Sequence, residues 1–414
     1  MELRKLATLA ITCCLALSTM TACAVNRGSL GNPEFPYPLQ RAQEIGTIVH
    51  LPTGIIVSEE EMLAAVTDMR IVYVGETHDN PASHRVQLAV LKAMAERWPG
   101  VVSLGMEMLT PAQQPVLDRW VAGELSEKEF LKEVDWYSTW SMDFDLYRDL
   151  LLLARDRRIP VIGLNADKDL VKAVGRKALD ELTVEERARL PEMDMADPYQ
   201  TAMVEAIYGG HVSGEGRLGG FQRVQTLWDE TMAESVVSYL QADPGGTRRM
   251  VVLAGGNHIR YGFGIPRRVF RRMPSSYALV GTLEVMGAAD KQDRIMDVEM
   301  PGFPMPSYDY LVFTAYESLP TDKVKLGVRM EEQEGKVVVK EVVAGSAADL
   351  AGVKAGDVIL AIDREPISEN FDLIYAVGQK AKGDKGLLEV ERAGARLTLE
   401  VEFQPLPQSG AHKP

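Results

Sequence analysis

One short stretch carries the first sign of the fold: residues 71–78 read Ile-Val-Tyr-Val-Gly-Glu-Thr-His. Its apolar residues form a continuous run, which is typical of a strand buried on both faces of a parallel sheet. Gly75 ends the run and lets the backbone turn sharply and approach a ligand closely. A helix is predicted next, because Val86, Val90 and Met94 recur on one helical face. The stretch therefore predicts the first strand and helix of an α/β domain.

The alternation of strand and helix continues along the chain. Alternating strands and helices predict a parallel sheet flanked by helices. We place this α/β domain at residues 46–315, with a hairpin at 46–58 as its first element. The other predicted strands lie at 101–106, 159–164, 250–254 and 277–283, and the predicted helices at 112–134, 144–157, 167–189 and 221–240.

Composition narrows the class of protein. The chain has 414 residues, of which 46% are hydrophobic and 25% charged, and this predicts two or three globular domains. The formal net charge is −14. Binding to nucleic acid or to anionic lipid relies on a basic face, so the net charge argues against a nucleic-acid partner and against polybasic attachment to membranes.

The amino terminus predicts export. Residues 1–22 combine an early positive charge with a short apolar run, as in a secretory signal peptide. The segment ends at Met20-Thr21-Ala22-Cys23, which resembles a bacterial lipoprotein box and implies lipidation of Cys23. Residues 23–45 then form a tether, and the expected location is the outer membrane, facing the periplasm, through the lipid anchor. The alternative is an ordinary cleaved signal in which Cys23 is incidental.

Polar residues follow the predicted strands of the first domain. Glu76 and His78 follow the first strand, Glu107 the second and His258 another, and two of these ends read Gly-x-x-His in a chain with six His. Ligands of parallel α/β sheets bind beyond the carboxyl ends of the strands. Imidazole there is a metal ligand, a haem ligand or a general base, and carboxylate serves a metal or acid/base chemistry. Alternatively, both His only cap helix starts.

These motifs together resemble a known family. Residues 75–78, 105–107, 165–167, 228–232 and 255–258 are similar to those of the ChaN-like lipoproteins, within the group that includes the Tiki and TraB-type proteins and the erythromycin esterases. The ChaN resemblance implies a haem-binding protein of iron uptake. The Tiki resemblance implies a metal-dependent protease, with Glu76, His78, Glu107 and His258 as catalytic residues and His78, Glu107 and His258 as ligands of a divalent metal.

A glycine-rich segment follows Tyr208. Six glycines within residues 209–220 predict an irregular, mobile flap. Tyr208 and His211 stand at its start, and a phenolate or an imidazole is a suitable ligand for ferric haem. We therefore assign Tyr208 and His211 as the candidate haem-binding residues, with an ordinary solvent loop as the alternative.

The last part of the chain resembles a PDZ domain, mostly β, at residues 321–404, followed by a tail at 405–414. The resemblance lies in Leu326-Gly327-Val328 and in the glycine-punctuated residues 342–359. It implies that the loop Lys325, Leu326, Gly327 and Val328 offers N–H groups to the C-terminal carboxylate of a partner peptide, which adds to the sheet as an extra strand. A spacer or dimerisation module is the alternative.

Two main functions therefore remain. The first is an exported, lipid-anchored haem-binding protein of iron or haem uptake whose PDZ domain docks a peptide, and the second is a metal-dependent hydrolase or peptidase. In a third reading the PDZ domain is the only working part. A homodimer that holds haem between two protomers is compatible with the first. His-Glu-x-x-His and Cys-x-x-Cys-His are absent from the sequence, which argues against a zincin helix and covalent haem.

Overall fold

The structure is a computed structural model that describes residues 37, 43–140, 142–210, 217–286, 298, 300–319 and 324–406. The predicted signal peptide, Cys23, His211 and the last eight residues lie outside these ranges. Within the described ranges, no helix combines the length and the apolar character needed to cross a membrane.

The first unit is built on one sheet of eight strands: β1 Ile48–His50, β2 Ile55–Val57, β3 Ile71–Glu76, β4 Val102–Met106, β5 Val161–Gly163, β6 Arg249–Gly255, β7 Tyr277–Met286 and β8 Tyr310–Ala315. Their order across the sheet is β2-β1-β8-β7-β3-β6-β4-β5. The strands from β8 to β5 run parallel, and β1 pairs antiparallel with both β2 and β8. The predicted α/β fold is confirmed, although β8 was not among the predicted strands.

Helices cover both faces of this sheet, as the alternation within β3 shows. Val72 and Val74 face one hydrophobic core, whereas Ile71 and Tyr73 face another on the opposite side. The helices of the first unit are α1 Glu59–Val66, α2 Pro81–Arg97, α3 Gln114–Val121, α4 Glu127–Glu133, α5 Trp136–Thr139, α6 Arg148–Asp156, α7 Lys168–Arg176, α8 Val184–Ala188, α9 Pro198–Gly210, α10 Leu218–Gln241, α11 Gly256–Ile259 and α12 Ile265–Arg272. α2 and the helices from α3 to α6 contribute to the first core, and α10 and α12 contribute to the second.

The second unit is an antiparallel sheet with its own core. Its strands are β9 Val328–Gln333, β10 Lys336–Val342, β11 Val358–Ile362, β12 Glu365–Pro366, β13 Lys385–Arg392 and β14 Ala395–Glu402, with helices α13 Ala347–Leu350 and α14 Asn370–Gly378. The order is β14-β13-β11-β10-β9, with β12 paired to β11. β9 is therefore an edge strand of the described sheet.

The two units contact each other near the start of α14. The ammonium group of Lys128 lies 3.6 Å from a carboxylate oxygen of Asp372, and the ring centroids of Tyr137 and Phe371 are 5.9 Å apart. α4 and α5 of the first unit thus adjoin the helix that flanks β9.

Candidate functional site

The side chains predicted at the strand ends meet at one edge of the first sheet. Glu76 ends β3, Glu107 follows β4, and His258 lies in α11 directly after β6. Since β6 pairs with both β3 and β4, these carboxyl ends are neighbours. His78 lies over the end of β6, against Gly255. The structure thus brings together Glu76, His78, Glu107 and His258, which we call the strand-end cluster.

Two glycines leave space for this cluster. A Cβ atom on Gly255 would lie 2.9 Å from Nε2 of His78. A Cβ atom on Gly264 would lie 2.2 Å from the carbonyl oxygen of His258 and 2.9 Å from Oδ1 of Asp229. Both glycines have negative φ, −53° at Gly255 and −78° at Gly264. At both positions the close approach of neighbouring atoms, rather than a positive φ, requires glycine.

Glu76 is fully buried and well satisfied by hydrogen bonds. Tyr147 Oη donates to Glu76 Oε1 at 2.8 Å, and Gln87 Nε2 donates to Oε2 at 2.6 Å. Nδ1 of His78 lies 2.7 Å from Oε1. Burial by itself would raise the pKa of Glu76, but the neighbouring His84 and His78 outweigh burial and lower that pKa. Glu76 is therefore a carboxylate at neutral pH.

His78 is the accessible member of the cluster. Its side chain is 33% exposed, whereas those of Glu107 and His258 are 7% and 8% exposed. Burial lowers the pKa of His78, but its hydrogen bond to Glu76 and the charge of Glu107 raise the pKa to about 9. The edge of the Trp140 ring packs against it at 5.0 Å between centroids. A ligand that approaches the cluster meets a protonated His78.

His258 lies between two carboxylates. Nδ1 of His258 is 2.7 Å from Oδ1 of Asp229, and Nε2 is 3.4 Å from Oε1 of Glu107. The N–H of Gly255 donates to the other Glu107 oxygen at 2.7 Å. Burial lowers the pKa of His258, but the charges of Glu107 and Asp229 raise it to about 10. Burial alone would raise the pKa of Glu107, but the positive charge of His258 outweighs burial and lowers that pKa to about 2.

The cluster is arranged as hydrogen-bonded ion pairs. Among the residues that the structure describes, no group of three or more His, Cys, Asp or Glu side chains is placed to hold a metal ion. A metal-ligating histidine must be neutral, whereas the pKa values of His78 and His258 are both raised. The predicted metal set of His78, Glu107 and His258 is close in space but already internally paired.

Two residues of this site were not assigned a role from the sequence. Asp229 belongs to α10 and Tyr147 immediately precedes α6, so tertiary packing rather than strand-end position brings them here. Asp229 did carry a signal, because Asp229 and Glu230 interrupt the apolar inner side of a long helix between Leu227 and Met232. Both acids are buried, at 2% and 0% exposure.

A buried polar network connects this site with α9. Gln200 Nε2 donates to Oδ2 of Asp229 at 2.6 Å, and the Gln200 side-chain oxygen accepts from Arg268. Nε of Arg268 lies 3.1 Å from Oε1 of Glu230, and both side chains are completely buried. Because buried charges of this kind require their partners, the network fixes α9 against α10 and α12.

Tyr208 lies on the last turn of α9, which corrects the prediction of an irregular flap at its two ends, while residues 211–216 lie outside the described residues. α9 continues to Gly210 and α10 begins at Leu218, so four of the six glycines are helical. A Cβ atom on Gly220 would lie 2.4 Å from the carbonyl oxygen of Gly175 in α7, so this glycine permits helix packing. The Tyr208 ring lies 5.4 Å from that of Phe221. His211 is outside the described residues.

Next to the strand-end cluster lies a set of stacked rings, which we call the aromatic face: Tyr199, Tyr261, Phe263 and Phe303. Phe263 stacks against Tyr199 and Tyr261, each at 5.4 Å, and Phe303 meets Phe263 edge-on at 4.9 Å. Met203 and Ile207 of α9 pack into the same apolar cluster. Tyr199 is 46% exposed. Tyr199 thus offers exposed aromatic surface to a ligand, on the same helix as Tyr208 and two to three turns before it.

Arg260 joins the two parts of the site, two residues after His258. Its Nε is buried and has no hydrogen-bond partner in the described part of the chain. Its guanidinium lies 5.9 Å from the centroid of the Tyr261 ring. Tyr261 has a φ of +60°, which is rare for a bulky residue, and its N–H donates to the carbonyl of Ser307. Backbone strain at a turn beside a buried guanidinium nitrogen without a partner is typical of a binding site.

The predicted peptide-binding loop of the second unit precedes the edge strand β9. Gly327 has a φ of +83°, and a Cβ atom there would lie 2.2 Å from Cβ of Ser346. The carbonyl oxygens of Leu326 and Gly327 accept from Ala348 N and Val343 N, each at 2.8 Å. The N–H groups of Leu326 and Gly327 have no partner within the described residues. The loop is therefore held through its carbonyls and keeps donors available for a carboxylate.

Comparison with known proteins agrees with this architecture. The family model described as "Haem-binding uptake, Tiki superfamily, ChaN" matches residues 62–269, which include the strand-end cluster and Arg260. A PDZ-domain model matches residues 324–403. The solved structure of ChaN from Campylobacter jejuni, described as showing cofacial haem binding, is similar with a TM-score of 0.51 and 16% identity, covering 66% of this chain and 98% of that one. At that identity the likeness shows the fold.

Curated relatives match parts of the chain. A probable DegP-like periplasmic serine endoprotease of Ectopseudomonas mendocina is 37% identical over 73 residues, which is 18% of this chain and 15% of the relative. The chloroplastic protein RETICULATA-RELATED 5 of Arabidopsis thaliana is 24% identical over 260 residues, which is 56% of this chain and 34% of the relative. The matches thus span about a third or less of these relatives. The family model extends over half of the chain, and with the fold and the site in place the chain belongs to the ChaN haem-binding uptake family of the Tiki superfamily and carries a PDZ domain after it.

Proposed function

We propose that this protein is an exported, lipid-anchored haem-binding protein of iron or haem uptake, and that its PDZ domain docks a partner peptide. Family membership supports haem as the cargo. The lipoprotein-like segment that ends at Cys23 supports the anchor and a place in the bacterial envelope. The donor-bearing loop before β9 supports peptide docking.

The observation that carries the haem proposal is the aromatic face beside Arg260. Haem is a flat aromatic macrocycle with two propionate groups, so it needs apolar surface and a cation. Tyr199 supplies an exposed ring that stacks on the buried Phe263, and Arg260 supplies a guanidinium with an unused buried nitrogen. An arginine fork suits a carboxylate particularly well. These residues fit the chemistry of the proposed cargo.

The proposed iron ligands are Tyr208 and His211. Tyr208 is held close to the aromatic face by Phe221 and by its neighbours on α9. His78 is a poorer candidate at neutral pH, because its pair with Glu76 raises its pKa to about 9 and keeps the imidazole protonated. A protonated imidazole has no lone pair for iron.

The test is a haem titration of the chain from Ala24 onward, with elemental analysis of the same preparation. We expect a shifted Soret band at one haem per binding site, weakened in Tyr208→Phe, which removes only the hydroxyl group, and in Arg260→Ala. Tyr310→Phe, in β8 between β1 and β7, is the matched control and should bind haem normally. Absence of a Soret shift at micromolar haem would overturn the proposal.

A metal-dependent hydrolase is the second candidate, favoured by the convergence of Glu76, His78, Glu107 and His258. Metal binding there would have to displace protons from His78 and His258, so its affinity should rise with pH. The test is metal content after dialysis, together with turnover of a broad peptide pool by the parent, His78→Ala and His258→Ala. A metal-free chain that cleaves no peptide would eliminate this candidate.

A further inference from the structure

A cavity of about 780 Å³ lies between the two domains, beside the loop that precedes β9. One side is formed by the second domain, with Leu326, Met330, Leu373 and Val377 among the lining residues. The other side comes from the haem-binding domain, with Tyr137, residues 142–145 and Arg148 among the lining residues. We call this second side the domain wall.

The second domain gives the cavity the form of a peptide groove. β9 is paired with β10 on one edge, and its other edge has no strand partner within the described residues. α14 faces that edge and presents Leu373 and Val377, one helical turn apart. A chain added to β9 as an extra strand would place its side chains against α14.

The direction of such a peptide follows from the ends of the groove. The loop with N–H donors at Leu326 and Gly327 lies at the start of β9. The exposed side chains of Lys325 and Arg329 add positive charge there, so we place the peptide carboxylate at this end. The opposite end is fixed by the N–H of Asn370, which donates to Oε1 of Glu332 at 2.7 Å. Upstream peptide residues therefore run toward Glu332 and the start of α14.

The domain wall meets the peptide at this upstream end. The Tyr137 ring lies 5.9 Å from that of Phe371, at the start of α14. Burial raises the pKa of Tyr137. The nearby carboxylates of Asp143 and Asp145 raise that pKa further, to about 12. The wall is anchored by ion pairs from α4, of Lys128 with Asp372 and Lys132 with Glu369.

Charge at the upstream end is predominantly negative. Glu332, Asp143 and Asp145 contribute carboxylates. Arg148 is the cation of the wall, but both its Nε and Nη2 donate to Glu127 at 3.0 Å, and it also pairs with Asp145. A basic side chain of a ligand would be attracted here, and an acidic one repelled.

We propose that the cavity is a peptide site built by both domains, which takes a polypeptide C-terminus with an apolar last residue and a Lys or Arg about four positions before it. The spacing follows from strand pairing, because Glu332 stands four residues after Val328 along β9. This inference rests on the peptide docking proposed above and adds the haem-binding domain as a reader of the peptide sequence.

The test uses the two-domain chain from Ala24 onward and a pool of decapeptides randomised at the last six positions, with free C-termini. The same pool with amidated C-termini is the control ligand. We expect enrichment only from the free-carboxylate pool, with an apolar last residue and a basic residue about four positions upstream. The double variant Asp143→Asn/Glu332→Gln should lower affinity for the enriched peptide about fivefold, with no loss for the same peptide carrying Ala at the basic position.

The substitutions are chosen to preserve structure. Asp143 caps a 3-10 turn by accepting from the N–H of Asp145 at 3.0 Å, and Asn caps equally well. The matched control is Asp156→Asn/Glu402→Gln, which removes two exposed carboxylates at the far end of α6 and on the opposite edge strand β14. Its affinity should equal that of the parent.

The outcomes separate this inference from the proposed docking. Enrichment of apolar C-termini without a basic preference, and unchanged binding by Asp143→Asn/Glu332→Gln, would leave docking at the PDZ domain intact and overturn the two-domain site. Equal capture of free and amidated pools would overturn both.

Discussion

At the scale of single residues, His258 is a buried cation that pairs with two buried carboxylates. It is the cation between Glu107 and Asp229, and all three side chains are at most 8% exposed. When one partner of a buried ion pair is removed, the other charge stays buried without compensation. The resulting loss of stability therefore exceeds the net stability that the intact pair contributes. His258 is thus the cation that lies directly against both the Glu107 and the Asp229 carboxylates.

We expect His258→Ala to lower the free energy of unfolding by about 3–5 kcal/mol, since two buried carboxylates lose their cation. Urea denaturation of the chain from Ala24 onward is the measurement. His50→Ala is the control, because His50 bonds to Thr53 in a hairpin at the surface. Equal stability of the two variants would show that the buried pair contributes little.

The same group sets a pH dependence. The pKa of His258 is about 10, above the ordinary 6.5, so its contribution to stability is complete below pH 6.5 and is lost as pH rises through about 10. The pKa of Glu107 is about 2, below 4.5, so its contribution is present above pH 4.5 and is lost as pH falls through about 2. Urea unfolding should therefore show an alkaline decline between pH 6.5 and 10 that is much smaller in His258→Ala. An identical decline in both would contradict the assignment.

At the scale of elements, α7 and α10 pack closely through glycine. Gly220→Ala would place a Cβ atom 2.4 Å from the backbone of Gly175, so α7 and α10 would have to separate. We expect a loss of about 1–3 kcal/mol in unfolding free energy, typical of overpacking. Gly219→Ala is the matched control, since the nearest atom, on the Arg223 side chain, is 3.5 Å away. There the helix propensity of Ala should leave stability unchanged or higher.

Elements with a local signature were predictable from the sequence. β3 and β6 read as continuous apolar runs because both faces of a parallel strand are buried, and their ends fix Glu76 and His258. β8 was missed, because its strand status depends on pairing with β7 and with β1 rather than on a neighbouring helix. The ends of the predicted flap were wrong, because glycine frequency was taken for irregular backbone, whereas Gly220 permits close packing against a neighbouring helix. Asp229 reaches His258 through tertiary packing, which periodicity alone does not specify.

At the scale of the whole molecule, the predicted anchor is testable in cells. Cys23→Ala should abolish incorporation of radiolabelled palmitate and move the protein from the membrane fraction to the soluble periplasmic fraction. Acyl chains supply about 0.8 kcal/mol per buried methylene, so their loss removes the main hold on the bilayer. Ser18→Ala, inside the predicted signal, is a control that should leave both labelling and location unchanged. Persistence of the Cys23→Ala protein in membranes would point to another form of attachment.

The described residues between Trp136 and Arg148 belong to two neighbourhoods at once. Trp140 packs on His78 and Tyr147 holds Glu76, while Tyr137 and Arg148 line the cavity between the domains. Any displacement of this short stretch by an occupant on one side alters the surroundings of the other. By thermodynamic reciprocity, a change in cargo affinity on peptide binding must be matched by an equal change in peptide affinity on cargo binding. A substitution in this stretch must therefore be assayed for binding of both ligands, because the same stretch contacts the strand-end cluster and lines the cavity.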